Sequence, residues 1–222
     1  MQCDKDPKKI QNMFNEISGY YDKMNNLISL GSHYIIKFLS IKALDIKPNS
    51  MILDACCGTG DFSKIISKFY PTVKVIGLDF SDQMIKLAKQ KKPKNVFIQG
   101  DCTNLPFGEN EFDYVTMGFG LRNINDRTKA LYEIHRVLKN DGKFLHLDFG
   151  NHNKISRIFN IIVPFIVKIS GKNSEHYKYL LASKDSFPPP DDLIKEFESR
   201  GFKLLKHQDY LFGIISAQIM YK

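Results

Sequence analysis

Between Met51 and Gly150 the chain alternates short apolar runs with helical ones, and that order leaves few folds open. "MILDAC" reads as a strand and "DFSKIISKFY" as a helix; "KVIGLDF" and "SDQMIKLAKQK" repeat the pair. "VFIQGD" is a third strand, "FDYVTMGFGL" a fourth followed by the helix "RTKALYEIHRVLK", and "GKFLHLDFG" a fifth. Strands joined by helices through short loops predict a doubly wound, mostly parallel α/β sheet. The strands are apolar nearly throughout, as strands covered on both faces must be. After "FPPP", "DDLIKEFESRG" is a helix closed by glycine. The tail "FKLLKHQDYLFGIISAQIMYK" reads as two more strands, a hairpin around Phe212-Gly213, which makes seven. Residues 1–45 read as a helical N-terminal cap and residues 154–185 as a helical insertion. No repeat, low-complexity tract or linker divides the chain, so residues 1–222 are expected to form one domain.

A chain of 222 residues with 43% hydrophobic residues can bury a sizeable core, which excludes disorder. The net charge of +8 is spread over lysines along the whole length, with no dense basic block. It leaves open a nucleic acid, an anionic membrane surface, an acidic ligand or a merely solvated surface. The cysteines are Cys3, Cys56, Cys57 and Cys102; no pair has zinc spacing, so no metal is expected, and the set reads as a reducing compartment. The N-terminus has no apolar signal core, and Asp4 and Asp6 are wrong for a transit peptide. No run reaches the roughly 18 apolar residues of a membrane span. A cytoplasmic location is the expectation.

Ligands of open α/β sheets bind beyond the carboxyl ends of the strands. "DACCGTGDFS" sits at such an end, and Gly58 and Gly60 permit a tight turn with close backbone approach. The dinucleotide fingerprint's third glycine is missing, and so is the Lys-Ser/Thr of a triphosphate-binding loop. Asp54, Asp79 and Asp101 follow three successive strands and would line one crevice. So much negative charge repels phosphates, but it suits a cationic nucleoside: an acid at the second strand end can accept two O–H bonds from a ribose. S-adenosylmethionine has those features. Gly58, Thr59 and Gly60 would approach its methionine part, Asp79 its ribose, and Asp101 with the Cys102 backbone N–H its adenine edge. Gly118 would lie under the sulfonium. The aspartates could instead be helix N-caps. Cys56 and Cys57 read as small wall residues.

Three further stretches make the resemblance specific: "YYDKMNNLISLGSHY", "GFGLRNINDRTKALYEIHRVLKNDGKFLHLDF" and "YKYLLASKDSFP". With "LDACCGTGD" between them, the chain resembles the ubiquinone/menaquinone biosynthesis C-methyltransferase family, within the class I, Rossmann-like S-adenosylmethionine methyltransferases. The resemblance covers nearly the whole chain. "YIIKF" departs from the family's usual basic and aromatic residues, and Gly118 stands where some relatives have serine, leaving a backbone contact at that position. The resemblance implies methylation of a ring carbon of a polyprenylated quinol: demethylmenaquinol, a methoxy-benzoquinol, or both. It also makes a homodimer plausible, though no interface is legible in the sequence.

Ring carbon is a weak nucleophile unless a neighbouring hydroxyl loses its proton, so the substrate must be a reduced quinol and a base must assist. The catalytic candidates are Arg122, Asn123 and Tyr21. Arg122 cannot be an ordinary base, but it could stabilise a phenolate or hold a water; otherwise it is a surface ion pair. Asn123 could orient that water or the substrate oxygen. Tyr21 and Asp22 could close over the ring or merely pack in a lid. His33 is another base candidate, with a helix-surface or satisfied histidine as the alternative. His146 reads as core, and Asp148 as either site support or helix cap. The run of residues 158–169, "IFNIIVPFIVKI", is too short to span a membrane and suits a buried helix, a wall for an isoprenoid tail or a shallow membrane contact. Methylation of another phenol, a sterol or RNA is the rival activity. No basic–aromatic surface motif supports RNA, and "GFGLRN" stands where amino-methyltransferases of nucleic acids carry their own motif. A non-catalytic scaffold is disfavoured by the intact glycine turn.

Overall fold

The computed structural model describes residues 5–91, 95–150, 160, 161, 163, 164 and 174–222. Two helices, α1 (Pro7–Ser29) and α2 (Ser32–Ala43), precede the sheet. Then come β1 (Met51–Ala55), α3 (Asp61–Phe69), β2 (Lys74–Asp79), α4 (Asp82–Gln90), β3 (Val96–Gln99) and β4 (Phe112–Gly118). A single 3₁₀ turn (Leu121–Asn123) leads to α5 (Arg127–Val137) and β5 (Leu138–Phe149). After α6 (Ser174–Asp185) and α7 (Pro190–Glu198), β6 (Lys203–Tyr210) and β7 (Ile215–Tyr221) end the chain. The strand order is β3-β2-β1-β4-β5-β7-β6, parallel from β1 to β5, with β7 antiparallel to both neighbours. The seven-stranded, mostly parallel sheet is as expected, as is the final hairpin. Half of the insertion expected at 154–185 lies outside the described residues; α6 and the helical residues 160, 161, 163 and 164 are its described part.

The chain order reverses between β1 and β4, which opens a crevice at their carboxyl ends. Alternation along the strands feeds two cores. Leu53, Ala55, Val115, Met117 and Phe144 face α5 and α7, meeting Leu131, Ile134 and Phe197. Ile52, Leu145 and Leu147 face α2 and α3, meeting Ile41, Phe62 and Ile66. A third, small cluster stands apart: Met24 of α1 and Val163, with Tyr20, Ile28, Tyr177 and Leu181 packed on them. So α1 and α6 share their own apolar contact above the sheet.

The same alternation settles Asp54. It points toward α3 with Ile52 and is 1% exposed. One carboxylate oxygen accepts the backbone N–H of Ser63 at 3.0 Å and its hydroxyl at 2.6 Å; the other accepts Thr116 Oγ1 at 3.1 Å. Asp54 therefore braces β1 to β4 and to the first turn of α3, and it lines neither cavity described below. This corrects its placement in the crevice. Burial pushes its carboxyl up to about 6, against the pull of these hydrogen bonds.

Asp54→Ala leaves three buried donors without their acceptor and is expected to cost about 2–4 kcal/mol by chemical denaturation. Asp54→Asn retains most of the brace. Because the folded carboxyl holds its proton more tightly than the unfolded one, its contribution to stability falls as pH rises from about 4 to 6. The stability difference between wild type and Asp54→Asn should show that fall, and a difference independent of pH would refute it.

Candidate active site

Two loops build the crevice. After β1, Cys57 N–H donates to Leu78 O at 3.0 Å and Gly60 N–H to Cys57 O at 2.9 Å, closing a tight turn onto α3. Gly58 and Gly60 take φ of 54° and 83°, and Cys56 reaches 54° without being glycine. After β4, Phe119 does the same at 59°, its N–H held by Leu147 O at 2.7 Å. Left-handed backbone at a residue with a Cβ costs about 1–2 kcal/mol and persists only where the surroundings enforce it. Both such residues line the crevice.

Two cavities meet there. The smaller, about 210 Å³, is lined by Asp79, Ser81, Gly100, Asp101 and Cys102. The larger, about 510 Å³, is mostly apolar and is lined by Met13, Ile17, Phe62 and Leu180, with His33, Lys37, Asp61 and Arg122 among its polar groups. Tyr21, Gly58, Gly118, Phe119 and Asn123 belong to both walls. Gly118 is required at the junction: a Cβ there would stand 2.2 Å from the ring of Phe62.

In the smaller cavity Asp79 accepts Gly58 N–H at 2.8 Å on one oxygen and Ser81 N–H at 2.9 Å on the other. Burial raises its carboxyl, opposed by these bonds. The Phe80 backbone N–H also reaches this carboxylate, so of its roughly four lone-pair sites about one remains for a ribose hydroxyl. Asp101 is exposed at the rim and folds its carboxylate back onto Thr103 N–H at 2.8 Å. Cys56 and Cys102 bring their sulfurs within 3.3 Å, and each other's proximity with burial holds the Cys56 thiol up, so it is a neutral wall group. Gly60 caps α3 behind the turn and lines neither cavity.

In the larger cavity Arg122 is a buried clamp, not a surface ion pair. Its Nη1 donates to Asp148 at 2.7 Å and to Phe119 O at 2.7 Å, and its guanidinium lies over the rings of Phe119 and Phe149. Asp148 thus supports the site rather than capping a helix. Asn123 donates to Phe119 O and accepts the Tyr179 hydroxyl, both at 3.2 Å. Tyr21 packs edge-on against Phe14 between the cavities. His146 is core: Nδ1 bonds Gln218 Oε1 at 2.7 Å, and aromatic rings surround it.

Asp22 does not face the ring position. It accepts Thr59 Oγ1 at 2.6 Å and pairs with Lys91 at 2.8 Å, fastening α1 to the glycine turn. Lys91 also reaches Asp61 at 3.5 Å, and Lys37 of α2 binds Asp61 at 2.7 Å. Burial works against the Asp61 carboxylate, but Lys37 more than offsets it and holds its pKa below the usual range. Lys37, Asp61, Phe62 and Tyr179 were missed in the sequence. Tyr179 stood inside a singled-out block with no role attached. Lys37 could have been found as a lysine on the apolar face of a helix, beside Ile36, Ser40 and Ile41.

A model of the ubiE/COQ5 methyltransferase family matches residues 1–222. The chain belongs to that family. It is 38% identical to the demethylmenaquinone methyltransferase of Staphylococcus carnosus, over 97% of this chain and 93% of the relative. The enzyme of the same name from Staphylococcus saprophyticus is 36% identical, over 97% of both chains. Among solved structures, the methyltransferase in the complex with the Haloferax volcanii Trm112 activator matches with a TM-score of 0.73 at 14% identity, covering 94% of this chain and 96% of that one. A SAM-dependent methyltransferase from Aquifex aeolicus matches at 0.65 with 16% identity, covering 90% and 97%. The chain is a methyltransferase that uses S-adenosylmethionine, and the Asp79 carboxylate lining the smaller cavity and the bare backbone at Gly118 fit that molecule.

Asp79→Ala removes a charged acceptor and is expected to weaken S-adenosylmethionine binding about 10- to 100-fold by calorimetry. Gly118→Ala should weaken it comparably, and adding Phe62→Leu should restore part of the loss. An Asp79→Ala protein that binds normally would remove the ribose from that position.

Proposed function

We propose that this chain methylates a ring carbon of a reduced, polyprenylated naphthoquinol, converting demethylmenaquinol to menaquinol. The observation that carries the reading is the meeting of a small polar cavity and a large apolar one at a wall of glycine backbone. The relatives' names favour the naphthoquinol ring. S-adenosylmethionine supplies an electrophilic methyl group when bound. Asp79 holds its ribose, Gly58 and Thr59 flank its methionine part, Asp101 and the Cys102 N–H read its adenine, and Gly118 lets it approach the substrate. Asp54 and Gly60 hold the turn in shape from behind.

On the substrate side, Phe119, Phe149 and Phe62 give the ring a flat apolar seat. Arg122, already neutralised in part by Asp148, keeps Phe119 and Phe149 in place and leaves a residual positive potential for a developing phenolate. Asn123, fixed by Phe119 O and Tyr179, orients a quinol oxygen. Tyr21 closes the ring site from α1, so that the N-terminal helices act as a cap.

The isoprenoid tail needs an exit, and the larger cavity has a marked one. Among its described lining residues only Leu30 and Leu211 are exposed. They come from separate turns, both in the left-handed region, at φ 49°. Phe212 beside Leu211 is also left-handed and is 82% exposed; Leu30 is 90% exposed. Large apolar residues held outward at a backbone cost suit a surface that meets lipid, and the net charge of +8 suits an anionic one. The rim, rather than the run at 158–169, carries this reading. That run lies outside the described residues except for Asn160, Ile161, Val163 and Pro164. Among described residues no helix is long and apolar enough to cross a membrane.

Labelled S-adenosylmethionine with short-tailed demethylmenaquinone and methoxy-benzoquinone, each reduced or oxidised, tests the reaction. Label is expected in the reduced naphthoquinol and absent from both oxidised forms. Label in neither quinol, with the cofactor still bound, would overturn the assignment. Leu30→Asp and Phe212→Asp are each expected to reduce co-sedimentation with phosphatidylglycerol vesicles at least tenfold, each removing about 2 kcal/mol of apolar burial. Unchanged co-sedimentation would remove the membrane contact.

A further inference from the structure

We infer that His33 is the proton acceptor of the reaction, its Nε2 taking the quinol hydroxyl proton as the ring carbon is methylated. This rests on the quinol reading above. The geometry fixes the tautomer. Ser29 has one hydroxyl proton, and it is donated to Asn25 O at 2.6 Å. The same oxygen lies 2.6 Å from His33 Nδ1, so it can only accept there, and Nδ1 must carry the imidazole hydrogen. A neutral ring then has its lone pair on Nε2. That atom is buried and has no hydrogen-bond partner among the described residues, the side chain is 10% exposed, and His33 lines the larger cavity. A buried, unpaired acceptor facing a cavity is costly unless a ligand donor completes it.

The neighbouring groups sort themselves around this atom. Asp61 Oδ2 is 4.0 Å from Nε2, close enough to stabilise an imidazolium once it forms. Lys37 keeps Asp61 ionised, and Lys91 and Asp22 extend the same network. Tyr34 stacks on the ring at 4.0 Å. Two other charged or basic lining groups are paired: Arg122 with Asp148, and His176 with Glu16 at 3.4 Å. Burial and then Lys37 lower the His33 pKa to about 4. The imidazole is therefore neutral at every ordinary working pH. Weak basicity suffices, because the hydroxyl becomes strongly acidic as its ring loses electron density.

The balance is simple. The ring carbon forms a bond to the methyl group while the carbon–sulfur bond breaks, its electron pair going to sulfur. The hydroxyl O–H bond breaks in the same event, its proton going to Nε2 and its electrons forming the ring C=O. The imidazolium then returns its proton to the oxygen while the methylated carbon gives up its hydrogen as a proton to water, restoring the aromatic quinol and the neutral imidazole. One proton leaves per turnover.

The test uses the whole chain. His33→Asn places its amide near the Ser29 hydroxyl but has no base where Nε2 stood. Its turnover of reduced demethylmenaquinone is expected to fall about 10²- to 10⁴-fold, while the quinol Kd, read by fluorescence quenching, stays within threefold. In His33→Ala, added imidazole should restore turnover in proportion to its concentration. Nitrogen-15 NMR of histidine-labelled wild type should show Nε2 unprotonated, titrating near 4 and shifting when quinol binds; kcat should stay level from pH 8 to 5, with no step near 6.5. Turnover within threefold of wild type, equal losses in quinol affinity and turnover, or a proton on Nε2 at neutral pH would each overturn the assignment. Failure of the wild type to methylate any quinol would instead overturn the proposed function, and the tautomer would remain readable from the protein alone.

Discussion

The buried pair between Lys37 and Asp61 is the contact on which the site depends. Two opposite charges leave water together, which is tolerable only because they touch at 2.7 Å and because further polar groups reach the same carboxylate. Asp61 begins α3, immediately after the glycine turn; Lys37 belongs to α2; Lys91 follows α4; and Asp22, through Lys91, brings in α1. One carboxylate thus ties four helices to the loop that shapes both cavities. Removing either partner would strand the other charge in the interior, a far larger disturbance than loss of a surface pair.

Around that anchor the two cavities divide the labour by polarity. The smaller offers carboxylate acceptors at strand ends, and the larger offers rings and aliphatic side chains. Their common wall is kept thin by Gly118, whose missing side chain is filled by the edge of Phe62. The charged groups of the larger cavity are all compensated within the protein: Arg122 by Asp148, Lys37 by Asp61. An apolar ring can therefore enter without facing an isolated ion.

The sheet was legible because parallel strands buried on both faces write unbroken apolar runs, and the place of Asp79 in the wall of the smaller cavity was legible because it stands at a strand end beside a glycine turn. Asp54 was misplaced for a reason of parity. The sequence puts it at the same strand end, but only the register with Thr116 and the position of Ser63 turn its carboxylate inward. Arg122 was visible as a candidate, whereas its burial depends on β5, which brings Asp148 beside it from 26 residues away. His33 could be seen as a candidate and not as a tautomer. Its partner Ser29 lies across the turn at Leu30 and Gly31, where both residues leave the helical region and no helical spacing applies. Long-range ties such as Tyr179 to Asn123 leave no local signal at all.

The small apolar cluster shared by α1 and α6 has a consequence for how α1 is held over the crevice. Those helices pack on one another, and Leu180 of α6 also packs on the second sheet core, but much of what fastens α1 to the loops of the crevice is polar: Gln11 to Phe80 O at 2.8 Å, Asn15 to Ser81 at 2.5 Å, and Asp22 to Lys91 and Thr59. Polar fastenings exchange readily for water, while an apolar core does not. The hold of α1 on the crevice therefore rests more on exchangeable contacts than on a shared apolar core. Dissolved salt, by weakening the Asp22–Lys91 pair, would loosen the hold of α1 on the glycine turn.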